Sequence, residues 1–211
     1  MNVSVVIPCY NEEDVLPESY RRFTQVMSST SYEYELLFVN DGSKDRTESL
    51  LLSFAEQDKH VKVLSFSRNF GHQNAVTAGL QHCSGDITVI IDADLQDPPE
   101  VIPQMIETYL REKSNVVYAV RNKREGESFG KLLTAKVYYR MLNYLSDYTF
   151  PVDTGDFRLI DRKVLDTFKR FPEKHKYLRG LFSWMGFKQT PFYYDRHERA
   201  AGKTKYSIRK M

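Results

Sequence analysis

The sequence predicts an α/β fold, a mostly parallel sheet flanked by helices. Short apolar, β-branched runs recur along the first 120 residues, each giving way to a polar loop and then a helix-like segment. The acids, amides and arginines gather where those runs end. At 211 residues, 41% hydrophobic and 27% charged, the chain has the size and composition of one globular core.

The elements follow in order. Val3-Ser4-Val5-Val6-Ile7-Pro8 reads as the first strand and Cys9-Tyr10-Asn11-Glu12-Glu13 as its loop. Glu12 to Met27 predicts a helix whose apolar positions include Val15, Leu16, Phe23 and Met27. Glu35 to Val39 is a second strand, ending in Asn40-Asp41-Gly42-Ser43-Lys44-Asp45. A helix over Asp45–Gln57 follows, with Asp45 as N-cap and Glu48 at capping-box spacing. Val61 to Phe66 is a third strand, followed by Ser67-Arg68-Asn69-Phe70-Gly71 and a short helix from Gln73 to His82. Ile87-Thr88-Val89-Ile90-Ile91 reads as a buried strand. Pro98-Pro99 opens a helix to Lys113, because proline suits a first turn, and Asn115 to Val120 is another strand. Phe129 to Leu145 reads as a helix with Leu133, Val137, Met141 and Leu145 in one seam. That seam suits packing on the sheet; with Lys131, Lys136 and Arg140 it also suits a membrane surface.

Asp92-Ala93-Asp94-Leu95-Gln96-Asp97 stands where the Ile87–Ile91 strand ends. Open α/β sheets bind ligands at the carboxyl ends of their strands. Two carboxylates one residue apart can share a divalent cation and leave positions for phosphate oxygens. A diphosphate leaving group needs such neutralisation. Asp-x-Asp alone also describes a solvated acidic turn. Four polar loops at one sheet edge favour a nucleotide site.

Val5-Val6-Ile7-Pro8-Cys9-Tyr10-Asn11-Glu12, Asn40-Asp41-Gly42-Ser43 and Asp92-Ala93-Asp94 resemble the GT-A glycosyltransferases of family 2. Asp94-Leu95-Gln96-Asp97-Pro98-Pro99-Glu100, Thr154-Gly155-Asp156-Phe157-Arg158-Leu159 and Arg199 to Ser207 narrow the resemblance to the polyisoprenyl-phosphate glycosyltransferases. These include the dolichol-phosphate mannose synthases and the bactoprenol glucosyltransferases. The motifs keep the family's order along essentially the whole chain. Thr204 stands where members usually carry Ser, and the hydroxyl is kept.

The resemblance implies a GT-A fold, a Rossmann-like sheet in a single domain over residues 1–211. Residues 1–120 would bind the nucleotide-sugar and residues 121–211 the acceptor. It implies an inverting transferase moving a hexose, with UDP-glucose as the expected donor, to a polyprenyl (undecaprenyl) phosphate. The alternative is a soluble family 2 enzyme acting on a saccharide or protein hydroxyl. Asp94 would hold Mg²⁺ or Mn²⁺, with Asp92 beside it and Gln96 as a further oxygen ligand. Hard oxygen ligands suit those cations. Asp41 would accept from the base, either uracil or guanine. Pro8, Tyr10, Asn11 and Glu12 would line base and ribose, while Arg68 and Gly71 close over the nucleotide. Asp156 falls at the family's acceptor-side acid; it could orient the acceptor, bond a sugar hydroxyl or pair with Arg158. A lipid phosphate is already an anionic nucleophile and needs cationic positioning. Arg121, Arg199 and Lys205 are the candidates, since guanidinium forks match phosphate oxygens.

Net charge is +2, which does not suggest a nucleic-acid binder. Two stretches are nonetheless basic. Arg121–Arg140 holds six Lys/Arg against two Glu, and Arg196–Met211 six against one. Each could be a solvated face; together they suit an anionic acceptor or membrane surface. Cys9 and Cys83 form no metal pattern and read as core residues of a protein in a reducing compartment. The first strand begins at once, so no signal peptide is expected, and no run approaches the ~20 apolar residues that span a bilayer. Family members usually continue into transmembrane helices after the Lys205-Tyr206-Ser207 motif. The chain is therefore expected to be the catalytic part of a longer protein at the cytoplasmic face of the plasma (inner) membrane, with a homo-oligomer left open. No G-x-G-x-x-G follows the first strand, which argues against a dinucleotide-dependent dehydrogenase. Intact Asp92 and Asp94 argue against a silent nucleotide-binding module.

Overall fold

A computed structural model describes residues 1–122, 154–173 and 176–195. The chain runs β1 (Asn2–Cys9), α1 (Leu16–Ser28), β2 (Glu33–Asn40), α2 (Thr47–Gln57), β3 (Val61–Ser65), α3 (His72–His82) and β4 (Ile87–Ile90). A 3₁₀ turn at Pro99–Val101 leads into α4 (Ile102–Glu112) and β5 (Val116–Arg121). Then come β6 (Thr154–Asp161), α5 (Arg162–Lys169), α6 (Leu178–Trp184) and β7 (Gln189–Tyr194).

The described strands make one seven-stranded sheet in the order β3-β2-β1-β4-β6-β5-β7. Strand β1 pairs parallel with β2 and β4, β2 with β3, and β5 with β7. Among the described strands only β6 runs the other way, antiparallel to both β4 and β5. Its first residues therefore reach the sheet edge where the other strands end. Ile90 pairs with Arg158, so continuing that register past the end of β4 sets Asp92 opposite Asp156.

Both faces of the sheet are covered, and alternate strand residues serve opposite faces. Val3, Val5 and Ile7 pack with Phe23 and Met27 of α1 and with Met105 and Ile106 of α4. Val6, Leu37 and Val39 pack with Val76 and Leu80 of α3 and with Phe168 and Phe182 of α5 and α6. Helix α3 sits tight on β1: a Cβ at Gly79 would lie 2.3 Å from Val6 Cγ1.

Several expected boundaries move. Helix α1 starts at Leu16, because Asn11 takes a left-handed φ of 51° and residues 11–15 turn before the helix begins. The Asp45–Glu48 capping box does not form: α2 begins at Thr47, and Asp45 accepts from the Thr47 N–H at 3.0 Å and from the Glu13 N–H at 3.2 Å. Pro98-Pro99 opens the 3₁₀ turn rather than α4 itself. Thr154–Leu159, quoted only as a motif, lies within strand β6. Cys9 and Cys83 are buried, as expected, and neither forms a disulfide. The Phe129–Leu145 helix lies outside the described residues. No helix of the described residues is long and apolar enough to cross a membrane.

Candidate active site

The loops after β1, β2 and β3 are bonded into one unit. Asn11 N–H donates to Ser43 Oγ at 3.0 Å, Lys44 N–H donates to Asn11 Oδ1 at 2.8 Å, and Glu12 N–H donates to Thr47 Oγ1 at 2.8 Å. Gly42 has φ 63°, and a Cβ there would lie 2.2 Å from the Arg68 carbonyl carbon, so only glycine lets the loops after β2 and β3 meet. Asp41, 2% exposed, holds the loop after β3 in place. Its carboxylate accepts from Phe70 N–H at 2.7 Å, Gly71 N–H at 3.0 Å and Asn69 Nδ2 at 2.9 Å. Burial pushes its pKa up, against the pull of the Phe70 and Gly71 donors. Asp41 and Gly71, read separately from sequence, are thus directly bonded. Gly71, with φ 97°, leads into α3. Arg68 is exposed, its guanidinium 4.2 Å from the Phe70 ring centre. Pro8 is buried at the end of β1, and Tyr10, Asn11 and Glu12 are half-buried beyond it.

The acidic loop after β4 is shaped by Leu95, a buried leucine at φ 59°. The left-handed conformation costs a leucine about 1–2 kcal/mol. The turn brings the Gln96 N–H back onto Asp94 Oδ1 at 3.1 Å. Asp94 and Asp97 are 7% and 3% exposed. Asp92 keeps a side-chain exposure of 44%, so it lies on a crowded but water-reachable floor. Burial pushes its pKa up to about 6; His72 opposes the rise, while Asp94, Asp97 and Asp156 add to it. Among the described residues no three His, Cys, Asp or Glu side chains converge as a preformed metal site, but carboxylates that disfavour one another's charge in this way suit the chemistry of a hard divalent cation. Asp92, Asp94 and Gln96 would hold it.

Asp156 is the hub of the second half. Its side chain is 11% exposed. Arg179 Nε donates to Oδ1 at 2.8 Å, Gln73 Nε2 to Oδ2 at 3.2 Å, and His72 Nε2 stands 3.2 Å from Oδ2. His72 Nε2 also stands 3.7 Å from Asp92 Oδ1, bridging the two acids. Burial alone would raise the Asp156 pKa, but the hydrogen bonds of His72 and Arg179 and their charges hold it well below the carboxylate range. Arg158 does not pair with this carboxylate, contrary to one sequence expectation. It is buried and donates to the backbone carbonyls of Asp156 at 3.3 Å and Gly155 at 3.1 Å, with its guanidinium 4.9 Å from the Phe182 ring centre. Burial lowers its pKa to about 10.

Arg121, at the end of β5, lies 3.7 Å from Asp97 Oδ1, and its Nε is 3.4 Å from the Tyr194 hydroxyl. Tyr194 in turn donates to Asp97. A Cβ on Gly155 would come within 3.2 Å of Arg121 Nη2, so glycine leaves the guanidinium its place. Arg199 and Lys205 lie outside the described residues. Sequence reasoning missed His72, Gln73, Arg179, Asp97 and Tyr194 as site-forming groups. His72 and Gln73 follow the Asn69-Phe70-Gly71 loop directly, which is a signal; Arg179 offers none.

A sheet with its polar loops at one edge and a reversed strand delivering Asp156 there is the architecture of the GT-A glycosyltransferases. A mannosyltransferase from Pyrobaculum calidifontis, solved with GDP-Man and Mn²⁺, shares it at a TM-score of 0.62 and 20% identity, over 90% of this chain and 54% of that one. Residues 4–168 match the glycosyl transferase family 2 profile, and the chain belongs to that family. It is 56% identical to an uncharacterized glycosyltransferase of Bacillus subtilis (strain 168), over 99% of this chain and 64% of that protein. It is 42% identical to a prophage bactoprenol glucosyl transferase homolog of Escherichia coli (strain K12), over 98% of this chain and 67% of that protein. The chain thus spans about two thirds of the length of these relatives.

Proposed function

We propose that the chain is the catalytic domain of an inverting, metal-dependent hexosyltransferase that moves glucose from UDP-glucose to a polyprenyl phosphate at the cytoplasmic face of a membrane. Residues 1–120 serve the donor and residues 121–211 the acceptor. Likeness to a bactoprenol glucosyl transferase homolog supports the sugar and the lipid.

The observation that carries the acceptor reading is the state of Asp156. A sugar hydroxyl must lose a proton as it attacks, so a hydroxyl acceptor needs a base free to take it. Asp156 is instead engaged on both carboxylate oxygens, by Arg179 Nε at 2.8 Å on one and by Gln73 Nε2 and His72 Nε2 at 3.2 Å on the other. A phosphate monoester is already anionic and needs orientation instead. Asp41, Tyr10, Asn11, Glu12, Arg68 and Gly71 bind and orient the nucleotide. Asp92, Asp94 and Gln96 would hold Mg²⁺ or Mn²⁺, which would supply charge neutralisation to the leaving diphosphate. Arg121, Arg199 and Lys205 bring the acceptor phosphate in line with the anomeric carbon. The phosphate oxygen bonds to that carbon as its bond to the UDP oxygen breaks, and the configuration inverts.

Incubating membranes that contain the full-length protein with radiolabelled UDP-sugars and undecaprenyl phosphate tests this reading. Label from UDP-glucose alone should enter the organic phase. Calorimetry with UDP and GDP should favour UDP; preference for GDP would overturn the donor.

A further inference from the structure

Gln73 occupies a position that the donor and acceptor roles leave unused. It is the second residue of α3, directly beyond the Asn69–Gly71 loop that Asp41 holds. Its Nε2 donates to Asp156 Oδ2 at 3.2 Å, and its Oε1 accepts from the Leu178 N–H at 3.1 Å. Leu178 begins α6, and the next residue is Arg179, which grips the other oxygen of Asp156. One amide therefore ties three elements together: the start of α3, the start of β6 and the start of α6. Its donor faces a carboxylate and its acceptor faces a backbone N–H, an arrangement that neither Glu nor Leu reproduces.

We propose that Gln73 is a positioning residue that fixes Asp156 and Arg179 relative to the nucleotide loop, so that the acceptor meets the sugar in line. The identity of the acceptor rests on the function proposed above; the clasp itself does not. A side chain that holds an active-site carboxylate acts on the rate of transfer, where a displacement of about 1 Å costs on the order of 100-fold. It does not act on the affinity for UDP-glucose.

Two variants separate positioning from simple anchoring. Gln73→Glu keeps the acceptor for the Leu178 N–H but turns a second carboxylate on Asp156. Gln73→Leu removes both bonds. In membranes containing the full-length protein, both should lower kcat for transfer from UDP-glucose to undecaprenyl phosphate by roughly tenfold or more, with the UDP-glucose Kd within about twofold of wild type. Because Gln73 acts through Asp156, Gln73→Glu added to Asp156→Asn should cost no more than about twofold beyond Asp156→Asn alone. Wild-type kcat in Gln73→Glu, losses that multiply in the double variant, or UDP-glucose affinity falling in step with transfer would each overturn the proposal. Should wild-type protein bind UDP-glucose but label no lipid, the acceptor reading fails instead. The same cycle is then read on hydrolysis of UDP-glucose to glucose and UDP, where additive losses sink the clasp.

Discussion

Arg179 Nε lies 2.8 Å from Asp156 Oδ1, joining the start of helix α6 to the start of the reversed strand β6. The pair sits at the sheet edge beside Asp92, with His72 between the two acids. Its place explains why an acid carried by an antiparallel strand belongs to the same site as acids carried by parallel ones.

Removing the guanidinium should free the carboxylate to turn. Arg179→Ala is expected to lower kcat for transfer by about 10-fold to 100-fold while UDP-glucose binding, measured by calorimetry, changes little. Equal losses in donor binding and transfer would assign Arg179 to the donor side.

The same cluster sets a pH dependence of stability. Hydrogen bonds and charges from His72 and Arg179, stronger together than the opposing effect of burial, hold Asp156 below its ordinary value of 3.8. Such a group stabilises the fold above that value and loses its contribution as the pH falls through the folded one. His72 has the opposite sign. Burial lowers its pKa, but Asp156 and Asp92 raise it above 6.5, so its contribution is present below 6.5 and fades as the pH rises through the raised value. Urea denaturation of wild type and Asp156→Asn should show a stability gap that narrows below a pH of about 4. A gap that widened with acid would contradict the direction assigned to Asp156.

Metal dependence is read at Asp94. Asp94→Ala should abolish Mn²⁺-stimulated binding of UDP-glucose and leave the circular dichroism spectrum unchanged. Turnover at the wild-type rate would remove Asp94 from the metal site.

Arg199 should serve the acceptor. Arg199→Ala is expected to raise the KM for undecaprenyl phosphate or lower kcat, with UDP affinity nearly unchanged. A matching loss of UDP affinity would move the residue to the donor diphosphate.

Much of this was legible because periodicity and strand-end chemistry are local. The buried runs of β1 to β4 and their polar ends read directly, and with them Asp41, Asp92 and Asp94. Strand β6 did not, since Thr154-Gly155-Asp156 carries a glycine and an acid where a strand should begin, and its reversal is a tertiary fact. Asp45 resembled a helix cap, yet the chain uses its carboxylate to tie Glu13 to Thr47 between two loops. Arg179 looks like any surface cation; only folding brings it 23 residues back onto Asp156. Asp41 read as a base contact, whereas its bonds to Phe70, Gly71 and Asn69 required knowing that β3 lies beside β2.

The central claim is that the nucleophile is a phosphate needing no general base. The most direct measurement offers undecaprenyl phosphate and undecaprenol side by side to the full-length protein with labelled UDP-glucose and Mn²⁺. The account predicts label in the phosphate lipid alone, as an acid-labile glucosyl phosphate, with one UDP released for each glucose transferred. Transfer to the alcohol at a comparable rate would contradict it.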